Sequence, residues 1–200
     1  MKKKLLALSL VAAMAVGVFA WCSSSEEPAE TTEGTEESAE ATGEKYIIAT
    51  DTVFPPFEFT NEDGDFVGID VDIINAIAED QGIDVEIQSL GFDAALLAVQ
   101  SGQADGVIAG MSITDERKQS FDFSEPYFDA DVTMAVAKGS DVKSYEDLAG
   151  KTVAVKTATN GADFAKAIAD EYGFTVVEFK DSPTMYQDVI AGNTAACFED

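Results

Sequence analysis

The chain has 200 residues, of which 12 are basic and 38 acidic, giving a formal net charge of −26, and it contains no histidine. The charge divides into +3 from Lys2, Lys3 and Lys4, −8 from the eight Glu of residues 23–44, and −21 from residues 45–200. A surface this negative repels phosphate backbones and excludes nucleic acid as a partner. The missing imidazole excludes Ser-His-Asp and Cys-His catalysis and histidine-ligated metal sites.

Residues 1–22 join a basic start to an uncharged apolar run over 5–21, short for a bilayer span and patterned as a secretory signal. No later segment is apolar enough to cross a bilayer. Cys22 opens the run Cys22-Ser23-Ser24-Ser25-Glu26-Glu27, which resembles the mature start of a bacterial lipoprotein, where the cysteine is cut free and acylated. Cleavage after Ala20, with Val18 and Ala20 as the small residues and Trp21 left on the product, is the competing reading and would release a soluble protein. The tether that follows favours lipidation at Cys22. Residues 23–44 consist of Ser, Thr, Glu, Ala, Gly and Pro, with nothing to bury against chain entropy, and predict a disordered, self-repelling spacer. Cys197 lies in an apolar context and is expected to be a buried free thiol, not a partner of Cys22.

From Tyr46 the pattern alternates strand-like runs with helical periods. Residues 46–50 predict a strand, and 57–60 and 66–68 a hairpin about Asn61-Glu62-Asp63-Gly64-Asp65. Asp70 is expected to cap a helix whose buried stripe is Ile73, Ile74, Ile77 and Ala78 and whose stop is Gly82. A strand at 83–88, a helix at 92–101 closed by Gly102 and a strand at 106–109 follow. After Pro126 the grammar restarts: strand 132–137, a short helix at 145–148, strand 152–156, helix 161–172 ending at Gly173, strand 175–179, helix 183–191 and strand 195–198. This is an α/β pattern in two units, 45–128 and 129–200, and two small lobes with a cleft between them bind ligands by hinge closure.

Four stretches carry a resemblance. They are Ile48-Ala49-Thr50-Asp51 through Phe54-Pro55-Pro56-Phe57-Glu58-Phe59; Val67-Gly68-Ile69-Asp70-Val71-Asp72; Ala109-Gly110-Met111-Ser112-Ile113-Thr114-Asp115-Glu116-Arg117; and Phe121-Asp122-Phe123-Ser124-Glu125-Pro126-Tyr127. Together they resemble the periplasmic-type solute-binding proteins of polar amino acid ABC importers, of the glutamine-binding kind. The resemblance implies a two-lobe periplasmic binding protein type II fold, each lobe a small mixed sheet flanked by helices. It also implies a monomer outside the cytoplasm, lipid-anchored to the membrane, that hands an amino acid to ABC permease subunits without cofactor or metal.

A free amino acid presents a carboxylate and an ammonium, so its site needs a bidentate cation, directed N–H donors and a carboxylate. Arg117 is the single arginine of the chain. Read alone it could be a solvated ion pair beside Asp115 and Glu116; the resemblance makes it the clamp on the ligand carboxylate, helped by Ser112 and the Gly110 carbonyl. Lys156-Thr157-Ala158-Thr159-Asn160-Gly161 joins a strand to a helix whose free N–H groups suit an anion, or is an ordinary cap by Thr159 or Asn160. It is not a P-loop, for the Gly-Lys-Ser/Thr is missing. By resemblance Phe54 and Phe92 stack on the ligand's aliphatic part, Asp51 meets its side chain, and Asp200 accepts its ammonium. Lys156 stands where glutamine-binding members carry a lysine, and a buried cation disfavours basic substrates, so glutamine is expected.

Two other classes share the scaffold: a dehydratase-like enzyme, for which the sequence shows no proton-sharing carboxylate pair, and a receptor sensor domain, which would need a downstream membrane span. The family's return crossing after residue 200 is not matched, so the first lobe is expected to expose an unpaired strand edge and apolar surface, as in a C-terminally truncated chain of low stability.

Overall fold

The computed structural model describes residues 45–200. The signal segment, the lipidation site at Cys22 and the acidic tether lie outside the described residues. Strand β1 (Lys45–Thr50) leads to a hairpin of β2 (Phe59–Thr60) and β3 (Phe66–Val67), then helix α1 (Ile69–Gln81), β4 (Asp84–Ser89), α2 (Phe92–Gln100) and β5 (Gly106–Val107). The hairpin turn forms because the Asn61 side-chain oxygen accepts the Asp63 and Asp65 amides at 3.0 and 2.8 Å, a local bond that competes with strand continuation. β1 sits between β4 and β5, parallel to both. The helix α2 lies close upon β1 because the contact is made of alanines: Ala49, Ala95, Ala98 and Ala104.

Helix α1 begins at Gly68, where φ is +139° and an added Cβ would stand 2.1 Å from the Phe57 carbonyl oxygen, so no other residue fits there. The expected cap at Asp70 is not formed: Asp70 is the second residue of the helix, and its carboxylate turns inward and away from the helix start. The expected buried stripe is also shifted. Val71 is buried, Ile73, Ile74 and Ala78 are half-buried, and Ile77 is exposed. These isoleucines border an apolar groove of about 710 Å³ that runs beside β5 and the segment carrying Phe121, Phe123 and Phe128. β5 pairs on one side only and is shorter than the expected 106–109, since a strand is sustained by its ladder. Among the described residues β5 is thus an edge strand, with the groove beside it.

The second sheet takes β6 (Thr133–Ala135), β7 (Thr152–Lys156), β8 (Thr175–Phe179) and β9 (Ala196–Glu199) in the order β6-β9-β7-β8, with β6 antiparallel to β9 and the rest parallel. Helices α3 (Asn160–Tyr172) and α4 (Ser182–Ile190) cover its two faces. A strand covered on both faces has no solvent side, which is why β7 is buried from Val153 to Lys156. A 3-10 turn at Tyr145–Leu148 is held by a capping box between Ser144 and Asp147. Phe198 is fully buried, with the rings of Tyr145, Phe164 and Phe174 centred 5.6, 5.5 and 6.3 Å away. Cys197 is the buried free thiol expected.

Phe198→Ala should cost about 3–5 kcal/mol, the range for deleting a large buried ring. Urea unfolding of the two forms checks this.

Candidate functional site

The C-terminal ends of β1, β7 and β9, where the strands of both sheets deliver their following residues, converge on one cleft, the place where α/β sheets carry ligands. β1 runs directly into Asp51 and β7 ends in Lys156. Their side chains form a salt bridge, Asp51 1% and Lys156 3% exposed. The Lys156 ammonium also lies 4.7 Å from the Phe54 ring centre and 5.5 Å from that of Phe92, which places its charge against two ring faces. Neither charge could remain here alone, because desolvation costs several kcal/mol per ion.

Arg117 opens a 3-10 turn, Arg117–Gln119, and reaches across the cleft. Its guanidinium donates to the Ser112 carbonyl at 2.7 Å and to the Ala158 carbonyl at 2.8 Å, and its Cζ lies 5.6 Å from the Phe92 ring centre. Burial lowers its pKa from the usual guanidinium value, opposed by the negative charges of Asp200 and Asp163. A guanidinium stays cationic under that balance. Asp200 accepts the Ser112 hydroxyl on one oxygen and the Gly161 amide at 3.2 Å on the other.

Thr159 supplies the cap of α3. Its hydroxyl oxygen accepts the Ala162 amide at 3.1 Å and donates to the Lys156 carbonyl at 2.8 Å, leaving Asn160 as the first helical residue. Gly161 lets the helix start approach β9, since a Cβ there would meet the Phe198 carbonyl at 3.0 Å. Ala158, immediately before the cap, has φ +65°, a left-handed conformation that costs a non-glycine residue about 1–2 kcal/mol.

Phe54, Phe92, Gly110, Ser112, Lys156, Thr159 and Asp200 thus line one small cavity of about 10 Å³, the room of a single water. Asp51 adjoins it through Lys156, while Arg117 and Gly161 reach it through their bonds to Ser112 and Asp200. Asn160 stands apart and borders the larger groove.

Sequence reasoning missed several groups. The Ala158 carbonyl is one, because a backbone acceptor leaves no mark on residue type. Glu199, which borders the cavity, is another; its pKa is raised by burial and lowered less by Lys156. Under the cleft floor lie Glu58 and Asp70, both fully buried. The Gly110 amide donates to Asp70 Oδ2 at 2.6 Å, while Asp70 Oδ1 and both Glu58 oxygens have no donor among the described residues. Burial first, and the Asp70 charge second, push the Glu58 carboxyl up to about 9. A signal existed: Asp70 shares a helical face with Ile73, Ile74 and Ile77, and Glu58 stands between Phe57 and Phe59.

Residues 46–160 match the bacterial extracellular solute-binding proteins, family 3. The chain belongs to this family. It is 33% identical over 163 residues to the arginine-binding extracellular protein ArtP of Bacillus subtilis (strain 168), covering 81% of this chain and 64% of that protein, so it spans less than two thirds of that relative's length. An ancestral arginine-binding protein bound to arginine overlays with a TM-score of 0.74 at 41% identity, over 78% of this chain and 70% of the other. The second substrate-binding domain of GlnP from Lactococcus lactis, solved open, reaches only 0.50 at 47% identity, over 80% of this chain and 69% of the other. Higher identity with lower overlap is what a difference in lobe angle produces. The fold is the two-lobe type II periplasmic binding protein fold, and the bonds from Asp51 to Lys156 and from Arg117 to Ala158 hold it closed here.

Ala158→Gly should stabilise the protein by about 1 kcal/mol by relieving the left-handed alanine. Lys156→Met should destabilise it by about 3–5 kcal/mol by stranding Asp51, with much of the loss recovered in Asp51→Asn/Lys156→Met. Chemical denaturation of the four forms measures both effects.

Proposed function

We propose that the chain is the extracytoplasmic substrate-binding component of an ABC importer, capturing a polar amino acid, glutamine before others, by closure of its two lobes and presenting it to the permease. The observation that carries the reading is the buried Asp51–Lys156 pair at one end of a cleft whose other end holds Arg117 and Asp200. A ligand carboxylate would take the Arg117 guanidinium in place of its contacts to the Ser112 and Ala158 carbonyls, and the Ser112 hydroxyl and the Gly161 amide in place of Asp200. The ammonium would take Asp200 and the Gly110 carbonyl, which as an acceptor suits the ammonium and not the carboxylate that the resemblance implies for it. Phe54 and Phe92 would flank the aliphatic stem.

The side-chain end then decides among amino acids. Lys156 offers N–H donors and Asp51 offers acceptors, the complement of a carboxamide, which has one acceptor oxygen and a donor nitrogen. Arginine, the ligand in the names of the Bacillus and ancestral relatives, would bring a second cation against Lys156 and lose the pairing that Asp51 already has.

Binding rather than chemistry fits the arrangement, because the charged groups along the cleft are held: Asp51 and Lys156 by each other, Arg117 by two carbonyls, and Asp200 by the Ser112 hydroxyl and the Gly161 amide. The small cavity requires the lobes to part for entry, in keeping with hinge closure. Acylation at Cys22 would hold this monomer at the outer face of the membrane, with residues 23–44 as its tether. Mass spectrometry of the protein from membranes should find that lipid on Cys22.

Calorimetric titration of the purified chain with glutamine, glutamate and arginine should give heat with glutamine and little with arginine. Arg117→Ala should weaken glutamine at least about hundredfold, the loss of a bidentate charged contact; unchanged affinity would sink the site. Lys156→Gln should narrow the preference for glutamine over arginine.

A further inference from the structure

Beneath the cleft, three oxygens of two buried carboxyl groups have no donor among the described residues: both of Glu58 and Oδ1 of Asp70. Both residues are 0% exposed, so water cannot supply the missing bonds. The Asp70 amide donates to the Phe57 carbonyl at 2.9 Å, which sets Asp70 beside Glu58. Two ionised carboxylates offer acceptors only, and like charges set together in a dry site cannot both stay ionised. One proton removes the conflict, because a neutral carboxyl on Glu58 becomes a donor to Asp70. Asp70 is the better site for the remaining charge, since its Oδ2 already receives the Gly110 amide at 2.6 Å.

Both members of the pair are tied to the cleft wall. Glu58 bridges Phe54 through paired backbone hydrogen bonds of 2.6 and 3.2 Å. Gly110 has φ +53°, and an added Cβ would stand 2.9 Å from the Phe54 ring, so the ring and the Gly110 backbone fit only while this turn keeps its shape. We propose that Glu58 and Asp70 share one proton, and that this singly charged pair is a positioning device which holds Gly110 and Phe54 in the geometry the cleft needs. Its link to ligand binding rests on the proposed function; its existence does not.

The groups facing the pair agree with this assignment. Tyr127 faces Asp70 from the segment after Pro126, and burial and the Asp70 charge raise the pKa of its hydroxyl, so it stays neutral and adds no charge to the pair. Asp51, from the end of β1, adds negative charge that favours the proton on Glu58; Lys156, from the end of β7, opposes it more weakly. The folded-state value of Glu58 is raised, to about 9, so the stability this proton contributes is fully present below the ordinary glutamate range and is lost as pH rises toward and through about 9.

Three measurements on the wild type and Glu58→Gln test the proposal, the amide being an isosteric donor that cannot ionise. Infrared spectroscopy should show a neutral carboxylic acid band at neutral pH that is missing in Glu58→Gln. In Asp70→Asn, which removes the opposing charge and serves if the glutamine variant does not fold, the band should titrate at lower pH. The Gly110 amide resonance should shift as pH passes about 9 in the wild type and stay put in Glu58→Gln. Glutamine affinity of the wild type, divided by that of Glu58→Gln to cancel the titration of the ligand's own ammonium, should be flat below that pH and fall by up to about tenfold per pH unit above it, the limit for loss of one proton. Absence of the band, or a Gly110 resonance and an affinity ratio that do not change with pH, would overturn the proposal. The first two readouts need no ligand, so failure of glutamine to bind would count against the proposed substrate and leave the pair to be judged on them.

Discussion

A lysine and an aspartate removed from water together set the closed arrangement. Lys156 ends a strand of the second sheet and Asp51 follows a strand of the first, and neither keeps more than a trace of exposure. Each alone would carry a desolvation cost of several kcal/mol, so both are satisfied in this environment only when the lobes meet. Parting the lobes exchanges the ion pair for hydration of each charge, which makes it a contact suited to a hinge and not a permanent bolt. Phe54 and Phe92, on either side of the ammonium, exclude water from it and shape the cavity in the same act.

The remaining polar groups of the cleft follow from that closure. Arg117 reaches a carbonyl of the opposite lobe, and Asp200 joins Ser112 to the start of α3. Close approach depends on residues without side-chain bulk: Gly110 beneath the Phe54 ring, Gly161 against Phe198, and an alanine at 158 that tolerates a left-handed turn better suited to glycine. Around these cations the folded part carries a net −21. Its acidic side chains stay mostly solvated; of those drawn inside, Asp51, Asp70 and Asp200 each meet a particular donor, while both oxygens of Glu58 lack one among the described residues.

Much of the architecture was legible because its signals are local. The strands 152–156 and 175–179 carry the bounds that the structure gives to β7 and β8, and the glycines at 82 and 173 end α1 and α3 in the left-handed conformation that stops a helix. Ends that depend on a partner were less legible. β5 and β6 are shorter than their apolar runs, since a run becomes a strand only as far as a neighbour pairs with it. Aspartate before an apolar period is the usual helix cap, yet the cap is Gly68, two residues before Asp70, and the Asp70 carboxylate goes inward to Gly110.

Residue type and order by themselves determined the α/β alternation and the exclusion of histidine chemistry and of nucleic acid, because composition and periodicity are properties of the chain, while the side chains expected at the cleft came from the resemblance of four stretches to a known family. Tertiary structure alone decided which charges face one another. Asp51 and Lys156 lie 105 positions apart and Gly110 and Asp70 lie 40 apart, and no pattern along the chain marks them as partners. Their pairing, and the proton conflict at Glu58, arise from burial, which belongs to the packed molecule: a carboxylate that water would satisfy in the unfolded chain must find its donor in the folded one.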